Sequence, residues 1–390
     1  MDRLIPLSQQ ISSAAQAPST HALFGAGSIE SIGEVARKLG FHRTLIVSDL
    51  GIVAAGYFDR AVSLLETEGI EAIGFHDFTQ NPDSRAIEAG RAFAGSRKVD
   101  SLVGLGGGSS MDCAKGINFL LTNGGRMEDY WGYAKASRPM FPMLAVPTTA
   151  GTGSDAQSYA LISNAETNVK MACGDPGAAF KVAILDPELT LTQPRKVRAA
   201  AGYDAISHVV ETWVTTKRSD ASDEFSREAA SLLLGSFERV LEHPDDVSAN
   251  GDMLLGAFYA GAAIEQSMLG AAHASANPLT ARYGTEHGAA IAHMLPHVVR
   301  WNGKVCAARY SDLAETIGLR SASTLPADAL AEKLEELATA GGLPTRLRDA
   351  GVGHDDLPEL AADAAKQWTG QFNPRPFDAA GALEVYECAY

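Results

Sequence analysis

The chain has 390 residues, of which 46% are hydrophobic and 20% charged, and its formal net charge is −15. That balance belongs to folded globular proteins and excludes disordered or collagen-like classes, while the acidic excess argues against a surface that tracks nucleic-acid phosphates. A length above the usual size of one hydrophobic core predicts two domains.

In chain order, the N-terminal MDRLIPLSQQISSAAQAPST has a polar middle where a secretory signal would be apolar. No later stretch approaches the roughly 18 apolar residues of a membrane span, so a cytoplasmic protein with no membrane attachment is expected. From residue 41, strand-like runs alternate with amphipathic ones: TLIVSDL, RAVSLLETEG, IEAIGF, AIEAGRAFAGSRK, then DSLVGLGGGSS. This predicts βαβ units on a parallel sheet, and the runs apolar on both faces suit strands covered by helices on each side. After about Asp186 strand signals nearly vanish, and DPELTLTQPRKV, with two prolines, reads as the junction. The expected organisation is an α/β domain with a parallel sheet over residues 1–188 and an all-helical domain over residues 189–390. Cys113, Cys173, Cys306 and Cys388 form no CxxC pair and are expected to be reduced, buried, small apolar side chains.

Three glycines, Gly106, Gly107 and Gly108, lie between a strand and a helix and are followed by Ser109. Bare backbone amides at a helix N-terminus suit a phosphate. The pattern is not GxGxxG, and it comes some way into the chain rather than in the first βαβ unit. Asp112 and Lys115 fit equally well as helix decoration or as functional groups. A second loop, PTTAGTGSDAQ, collects Thr148, Thr149 and Thr152 with further small polar residues and suits a polar ligand. Asp49 ends a strand, where a carboxylate can accept from the ribose hydroxyls of NAD and repel the 2′-phosphate of NADP; a plain turn aspartate would look the same.

In AGYDAISHVVETWV, Asp204 and His208 are four apart on a helical run and share a face. His273, His287, His293 and His297 then crowd one short stretch. Imidazoles with a carboxylate suit zinc or ferrous iron better than calcium or magnesium. No GxSxG, HExxH or Walker-type motif is present. Trp131 and Tyr133 read as core aromatics sooner than as substrate contacts.

Taken together, GGGSSMDCAK, PTTAGTGSD, GYDAISHVVE, AAHASANPL, EHGAAIAHMLPHVVRWN and FNPRP resemble, in order, motifs of the iron-containing, group III alcohol dehydrogenases. The resemblance implies a Rossmann-like N-terminal domain and a helical C-terminal domain, as in the dehydroquinate synthase-like fold, with the site in the cleft between. It implies metal ligation by Asp204, His208, His273 and His287. It also implies NAD contacts from Asp49, Asn81, Gly107, Gly108, Ser109, Thr148, Thr149, Thr152 and Lys170, leaving His293 and His297 structural. The expected activity is hydride transfer between NAD and a small alcohol or aldehyde with Fe²⁺ or Zn²⁺, in a homo-oligomer. Reduction of a keto acid or transhydrogenation on the same ligands, a cyclising lyase like dehydroquinate synthase, and a non-catalytic nucleotide or metal binder are the alternatives. Asn277 departs from the pattern, standing where many members carry a second histidine, and Asp155 and Gln157 replace the usual Glu and Thr.

Overall fold

The computed structural model describes residues 20–319 and 325–390, so residues 1–19, where the targeting signal was sought, lie outside it. The chain divides into two units between Gln193 and Pro194. In the first, chain order runs β1 (His21–Phe24), α1 (Ile32–Lys38), β2 (Arg43–Val47), α2 (Leu50–Ala54), α3 (Tyr57–Thr67), β3 (Glu71–Phe75), α4 (Ser84–Gly95), β4 (Ser101–Gly106) and α5 (Gly108–Asn123). It continues through β5 (Gly132–Tyr133), β6 (Met143–Pro147), β7 (Tyr159–Ser163), β8 (Lys170–Gly174) and β9 (Val182–Leu185).

Six strands form one sheet in the order β1-β9-β6-β4-β2-β3, and every pairing in it is parallel. β4 and β6 are buried along their whole length, as strands covered on both faces must be. Ile46, Val103, Leu144 and Ile184 from four neighbouring strands pack with Ile32 of α1 and with Ala61 and Leu65 of α3 in one apolar cluster. β3 lies on one side of β2 and β4 on the other, so the winding reverses between β2 and β4. In parallel α/β sheets, ligands bind beyond the carboxyl ends of the strands at such a reversal.

The small second sheet, β5-β8-β7, has no counterpart in the sequence expectation. β7 and β8 form an antiparallel hairpin, and β7 alternates half-buried with buried residues over only five positions, too short a run to stand out among neighbouring polar residues.

The second unit comprises α6 (Arg195–Val214), α7 (Asp220–Glu242), α8 (Val247–Glu265), α9 (Ala271–Tyr283), α10 (His287–Thr316), α11 (Pro326–Ala340), α12 (Leu357–Ala364) and α13 (Ala379–Ala389). Among its described residues there is no strand. Every residue of α6 from Gly202 to Val214 is buried, so α6 is a core helix and its polar residues are interior ones. α7, α8 and α10 pack around it. α10 runs through Pro296 and breaks at Cys306, whose φ of −118° and ψ of 17° leave the helical region. No helix is long and apolar enough to cross a membrane among the described residues.

His293, inside α10, is fully buried and neither ring nitrogen has a hydrogen-bond partner. Burial, aided by neighbouring His297 and only partly offset by Asp349, pushes its pKa down to about 4. A folded-state pKa below the unfolded value means the folded protein resists protonation. Stability is therefore retained above about pH 6.5 and lost as pH falls towards 4, by up to about 3 kcal/mol from this ring. Urea midpoints at pH 7 and pH 4.5 check this: His293→Leu should leave the first nearly unchanged and raise the second.

Candidate functional site

At the carboxyl edge of the main sheet the structure collects most of the expected cofactor residues. Asp49 follows β2 and caps α2, its Oδ1 accepting from Gly51 N at 2.8 Å and Ile52 N at 3.1 Å. The side chain is only partly buried, and no hydrogen bond to its Oδ2 is seen among the described residues. After β4, Gly106 adopts φ +142°, and a Cβ there would fall 2.4 Å from Ser110 Oγ, so only glycine makes this turn. α5 then starts at Gly108 with no side-chain cap, which leaves its first N–H groups for an anion. A Cβ on Gly107 would lie 3.2 Å from Thr149 Oγ1, and one on Gly108 would lie 2.6 Å from Thr152 Oγ1, so the glycine and threonine loops face each other closely. Thr148 N donates to Gly106 O at 2.9 Å, and Asn81, itself left-handed at φ 55°, donates its N–H to Ser109 Oγ at 3.1 Å. Lys170 opens β8 rather than following a strand of the main sheet, but its charge still reaches Asp112.

Asp112 and Lys115 are not surface decoration. Lys115 is fully buried, and its Nζ donates to Ser154 O (2.6 Å), Gln157 O (2.7 Å), Tyr159 O (2.8 Å) and Ser154 Oγ (3.1 Å). Ser154 Oγ donates in turn to Asp112 Oδ1 at 2.6 Å. Burial raises the Asp112 carboxyl pKa against the pull of Lys115. The second loop is thus held from beneath by a buried ammonium. Its Asp155 is buried too, with a pKa raised to about 6 by desolvation, and Gln157 Nε2 ties back to Thr152 O at 3.1 Å. Trp131 and Tyr133 correct the core expectation: they are 50% and 52% exposed. Three cysteines are buried as expected, but Cys388 is exposed.

In the second unit, Asp204 and His208 sit one turn apart on α6, His273 lies in the first turn of α9, and His287 opens α10. Asp204 Oδ1 is the common vertex: His208 Nε2 lies 3.4 Å away, His273 Nε2 3.5 Å and His287 Nε2 3.6 Å. Four atoms bound tetrahedrally to one ion at about 2.1 Å would stand about 3.4 Å apart, which the three distances to Asp204 Oδ1 match. Among the described residues, Asp204, His208 and His273 alone have donor atoms all within 4.8 Å of one another, and His287 approaches that group through Asp204. Asp204 Oδ1 and His273 Nε2 are buried without hydrogen bonds, a costly arrangement that a cation between them would relieve. His287, with 23% of its side chain exposed against 4–7% for the other three, marks the accessible side.

The buried carboxylate and the imidazoles shift one another. Burial alone would raise the Asp204 pKa, but His208, His287 and His273 outweigh it and hold the carboxyl well below the ordinary range. Burial pushes His208 down to about 4 in spite of Asp204. At His273 burial also acts downward, yet Glu211 and Asp204 prevail and lift it to about 9. Glu211, which the sequence expectation omitted, is buried on α6 and accepts from His273 Nδ1 at 2.5 Å. Its signal was the i, i+4, i+7 spacing from Asp204 through His208, one continuous stripe. Among the described residues the imidazoles paired with Asp204 are those of His208, His273 and His287, and not those of His293 or His297. Asn277 donates to Gln367 Oε1 at 3.1 Å.

A close helix contact sets the third arm. A Cβ on Gly288 would lie 2.2 Å from Ala200 O and 2.6 Å from its carbonyl carbon, atoms of α6 backbone that cannot step aside. Gly288→Ala should push the start of α10 off α6, carrying His287 away from Asp204. We expect destabilisation of about 1–3 kcal/mol, as for other overpacked interfaces, with zinc affinity at least tenfold weaker. Thermal unfolding and metal titration check the pair, and wild-type metal affinity would show that the helices can adjust.

A phosphate-ready turn on a parallel sheet and a histidine–carboxylate centre on buried helices are the parts of a metal-dependent, dinucleotide-linked oxidoreductase. Comparison with known proteins narrows the class. Residues 19–187 match the family "Iron-containing alcohol dehydrogenase" and residues 198–390 match "Fe-containing alcohol dehydrogenase family, C-terminal". The chain is 32% identical over 372 residues to 1,3-propanediol dehydrogenase of Citrobacter freundii, covering 94% of this chain and 96% of that one. It is 30% identical over 358 residues to NAD-dependent methanol dehydrogenase of Bacillus methanolicus, covering 91% and 94%. A crystal structure of 1,3-propanediol oxidoreductase superposes with a TM-score of 0.92 at 31% identity, covering 96% and 98%. The chain belongs to the iron-containing alcohol dehydrogenase family and is a metal-dependent alcohol or aldehyde oxidoreductase.

Proposed function

We propose that the protein moves a hydride between NAD and a small primary alcohol or diol, or its aldehyde, with Asp204, His208, His273 and His287 binding one Fe²⁺ or Zn²⁺. The supporting observation is the convergence of three imidazole nitrogens on one buried Asp204 oxygen, each 3.4–3.6 Å away. When bound, such a cation supplies Lewis-acid polarisation of the substrate oxygen. The Irving–Williams trend favours zinc for this donor set, so iron in the cell would reflect supply.

The chain's residues account for binding and orientation. N–H groups of Gly107, Gly108 and Ser109 receive the cofactor's pyrophosphate at the uncapped start of α5. Hydroxyls of Thr148, Thr149 and Thr152, with Asn81 and Lys170, contact the rest of the dinucleotide. Asp49 keeps Oδ2 for the ribose hydroxyls and repels a 2′-phosphate, which selects NAD over NADP. Asn277 stands one turn after His273 and cannot accept a proton as an imidazole would. Asn277 Nδ2 is instead committed to Gln367 Oε1 at 3.1 Å, so this position holds no side-chain acceptor for the alcohol proton, which would pass to solvent. The protein acts as a cytoplasmic homo-oligomer.

The test is NADH formation by metal-stripped protein reloaded separately with Fe²⁺ and Zn²⁺ across short alcohols and diols. Recovery with either ion is expected. Protein that binds NAD and metal yet turns over none of the panel would overturn the substrate class.

A further inference from the structure

Glu211 occupies a position that neither ligation nor packing explains. α9, the helix that carries His273, is preceded by Gly270, which supplies no side-chain cap. Its first N–H groups are met instead by side chains from elsewhere in the unit: Ala271 N donates to Asn373 Oδ1 at 3.3 Å, and Ala272 N donates to Glu211 Oε1 at 2.7 Å. A Cβ on Gly270 would lie 3.0 Å from Asn373 Oδ1 and 3.1 Å from Glu211 Oε1, so the missing side chain makes room for both acceptors. Asn373 is in turn fixed by reciprocal hydrogen bonds with Asn302, 2.8 Å and 3.0 Å. Glu211 alone does two things at once: its second oxygen, Oε2, accepts from His273 Nδ1 at 2.5 Å.

A carboxylate has two acceptors and no donor, and here it faces two donors. With Nδ1 donating to Glu211, Nε2 of His273, 3.5 Å from Asp204 Oδ1, is the nitrogen left to ligate once a metal takes the place of its proton. We infer that Glu211 is a positioning residue for metal binding: by accepting simultaneously from the start of α9 and from Nδ1 of His273, it fixes the tautomer and the orientation in which His273 can ligate. This rests on the metal-site assignment proposed above. Carboxylates behind ligating histidines commonly contribute 10- to 100-fold in metal affinity.

Glu211→Gln isolates the effect, since the amide has the same shape but one acceptor and one donor. If its oxygen stays on Ala272 N, the NH₂ group faces Nδ1 and forces the proton onto Nε2, where it blocks ligation. If it flips, the NH₂ group meets the Ala272 N–H and the helix start loses its cap. Asn373→Ala is the control, because it removes a cap from the same helix end and touches none of the four proposed ligands.

The experiment is competition of Zn²⁺ between metal-stripped full-length protein and a chromophoric chelator, with thermal midpoints for each variant and Co²⁺ absorption spectra for the ligand field. Wild type should bind one zinc per chain; Glu211→Gln should bind it about 10- to 100-fold more weakly, with a shifted Co²⁺ band. Asn373→Ala should lose thermal stability while its zinc affinity stays within threefold of wild type. Glu211→Gln within threefold of wild type overturns the inference, as does equal weakening in Asn373→Ala, which would reduce Glu211 to a helix cap. Wild-type protein that binds no zinc, or binds it as well after Asp204 and His208 are removed, sinks the metal-site assignment instead. Should Glu211→Gln not fold, ¹⁵N-histidine NMR of zinc-loaded wild type decides: a slowly exchanging Nδ1–H on His273 is expected, and metal on Nδ1 overturns the inference.

Discussion

Replacing Asp204 and His208 together with alanine should abolish metal binding and lower kcat/KM for a primary alcohol by at least about 10³-fold, while NAD affinity changes by no more than a few-fold. The first half of that expectation follows from geometry. Asp204 Oδ1 is the one atom that all three imidazole nitrogens approach, so its loss leaves the rings with no anion between them, and replacing His208 removes the neighbouring donor one turn on. Lewis-acid stabilisation of a developing negative oxygen is worth several kcal/mol, and each 1.36 kcal/mol is tenfold in rate, which gives the stated factor. The second half follows from the chain's organisation, since every proposed cofactor contact lies before Gln193 and both substituted residues lie after it. The metal-free double variant should also be at least as stable as metal-free wild type, because a buried carboxylate and an imidazole with unpaired atoms give way to apolar side chains. Metal content, steady-state kinetics, cofactor titration and denaturation decide. Turnover within tenfold of wild type, or parallel loss of NAD binding, would remove the metal centre from the mechanism.

Lys115→Met should be the most damaging single change in the first unit, costing about 3–5 kcal/mol of stability, the range for breaking a buried charge network by removing one partner. The ammonium is fully enclosed and serves three backbone carbonyls and a hydroxyl drawn from residues 154–159. Methionine fills much of the same space but donates nothing, so the carbonyls of Gln157 and Tyr159 lose this donor and Ser154 O keeps only its bond from Gln157 N at 3.3 Å. Asp112, whose burial already raises its pKa, loses the nearest compensating charge. Because Thr149 and Thr152 lie on the loop this network supports, NAD affinity should fall at least tenfold as well. Urea unfolding followed by NADH fluorescence titration of the folded fraction tests both effects. A midpoint within 0.5 kcal/mol of wild type, after conversion through the slope, would mean that the loop stands without its buried cation.

What the sequence announced and what it concealed differ in a consistent way. The glycine turn after β4, Asp49 after β2 and the Asp204/His208 pair could be seen because each is a local pattern: a few adjacent residues whose chemistry makes sense by itself. Lys115 could not be told from an ordinary charged residue on a helix, and Glu211 only by its spacing from Asp204 and His208, because what makes them exceptional is burial, and burial depends on elements far away in the chain. α6 illustrates this. Its charged and polar residues suggest a helix with a solvent face, yet Arg198, Asp204, His208 and Glu211 are all interior, since α7, α8 and α10 surround it. The β7/β8 hairpin escaped notice because five half-buried residues carry little periodicity. Trp131 and Tyr133 were expected inside on aromatic character alone and are half exposed.

Asp204 and His208 of α6, His273 of α9 and His287 of α10 belong to three helices: α7 and α8 intervene between α6 and α9, and residues 284–286 link α9 to α10. An ion shared among them would act as a non-covalent crosslink, tying the start of α9 and the start of α10 to the middle of the core helix. Such a crosslink adds RT ln(1 + [M]/Kd) to the folding free energy, about 4 kcal/mol at a free-metal level 1,000 times Kd. On this view the lifetime of the protein against proteolysis would be set by the metal economy of its surroundings. Scarcity would raise the fraction of chain open to cutting, so starvation for the ion would remove the polypeptide and not merely silence it.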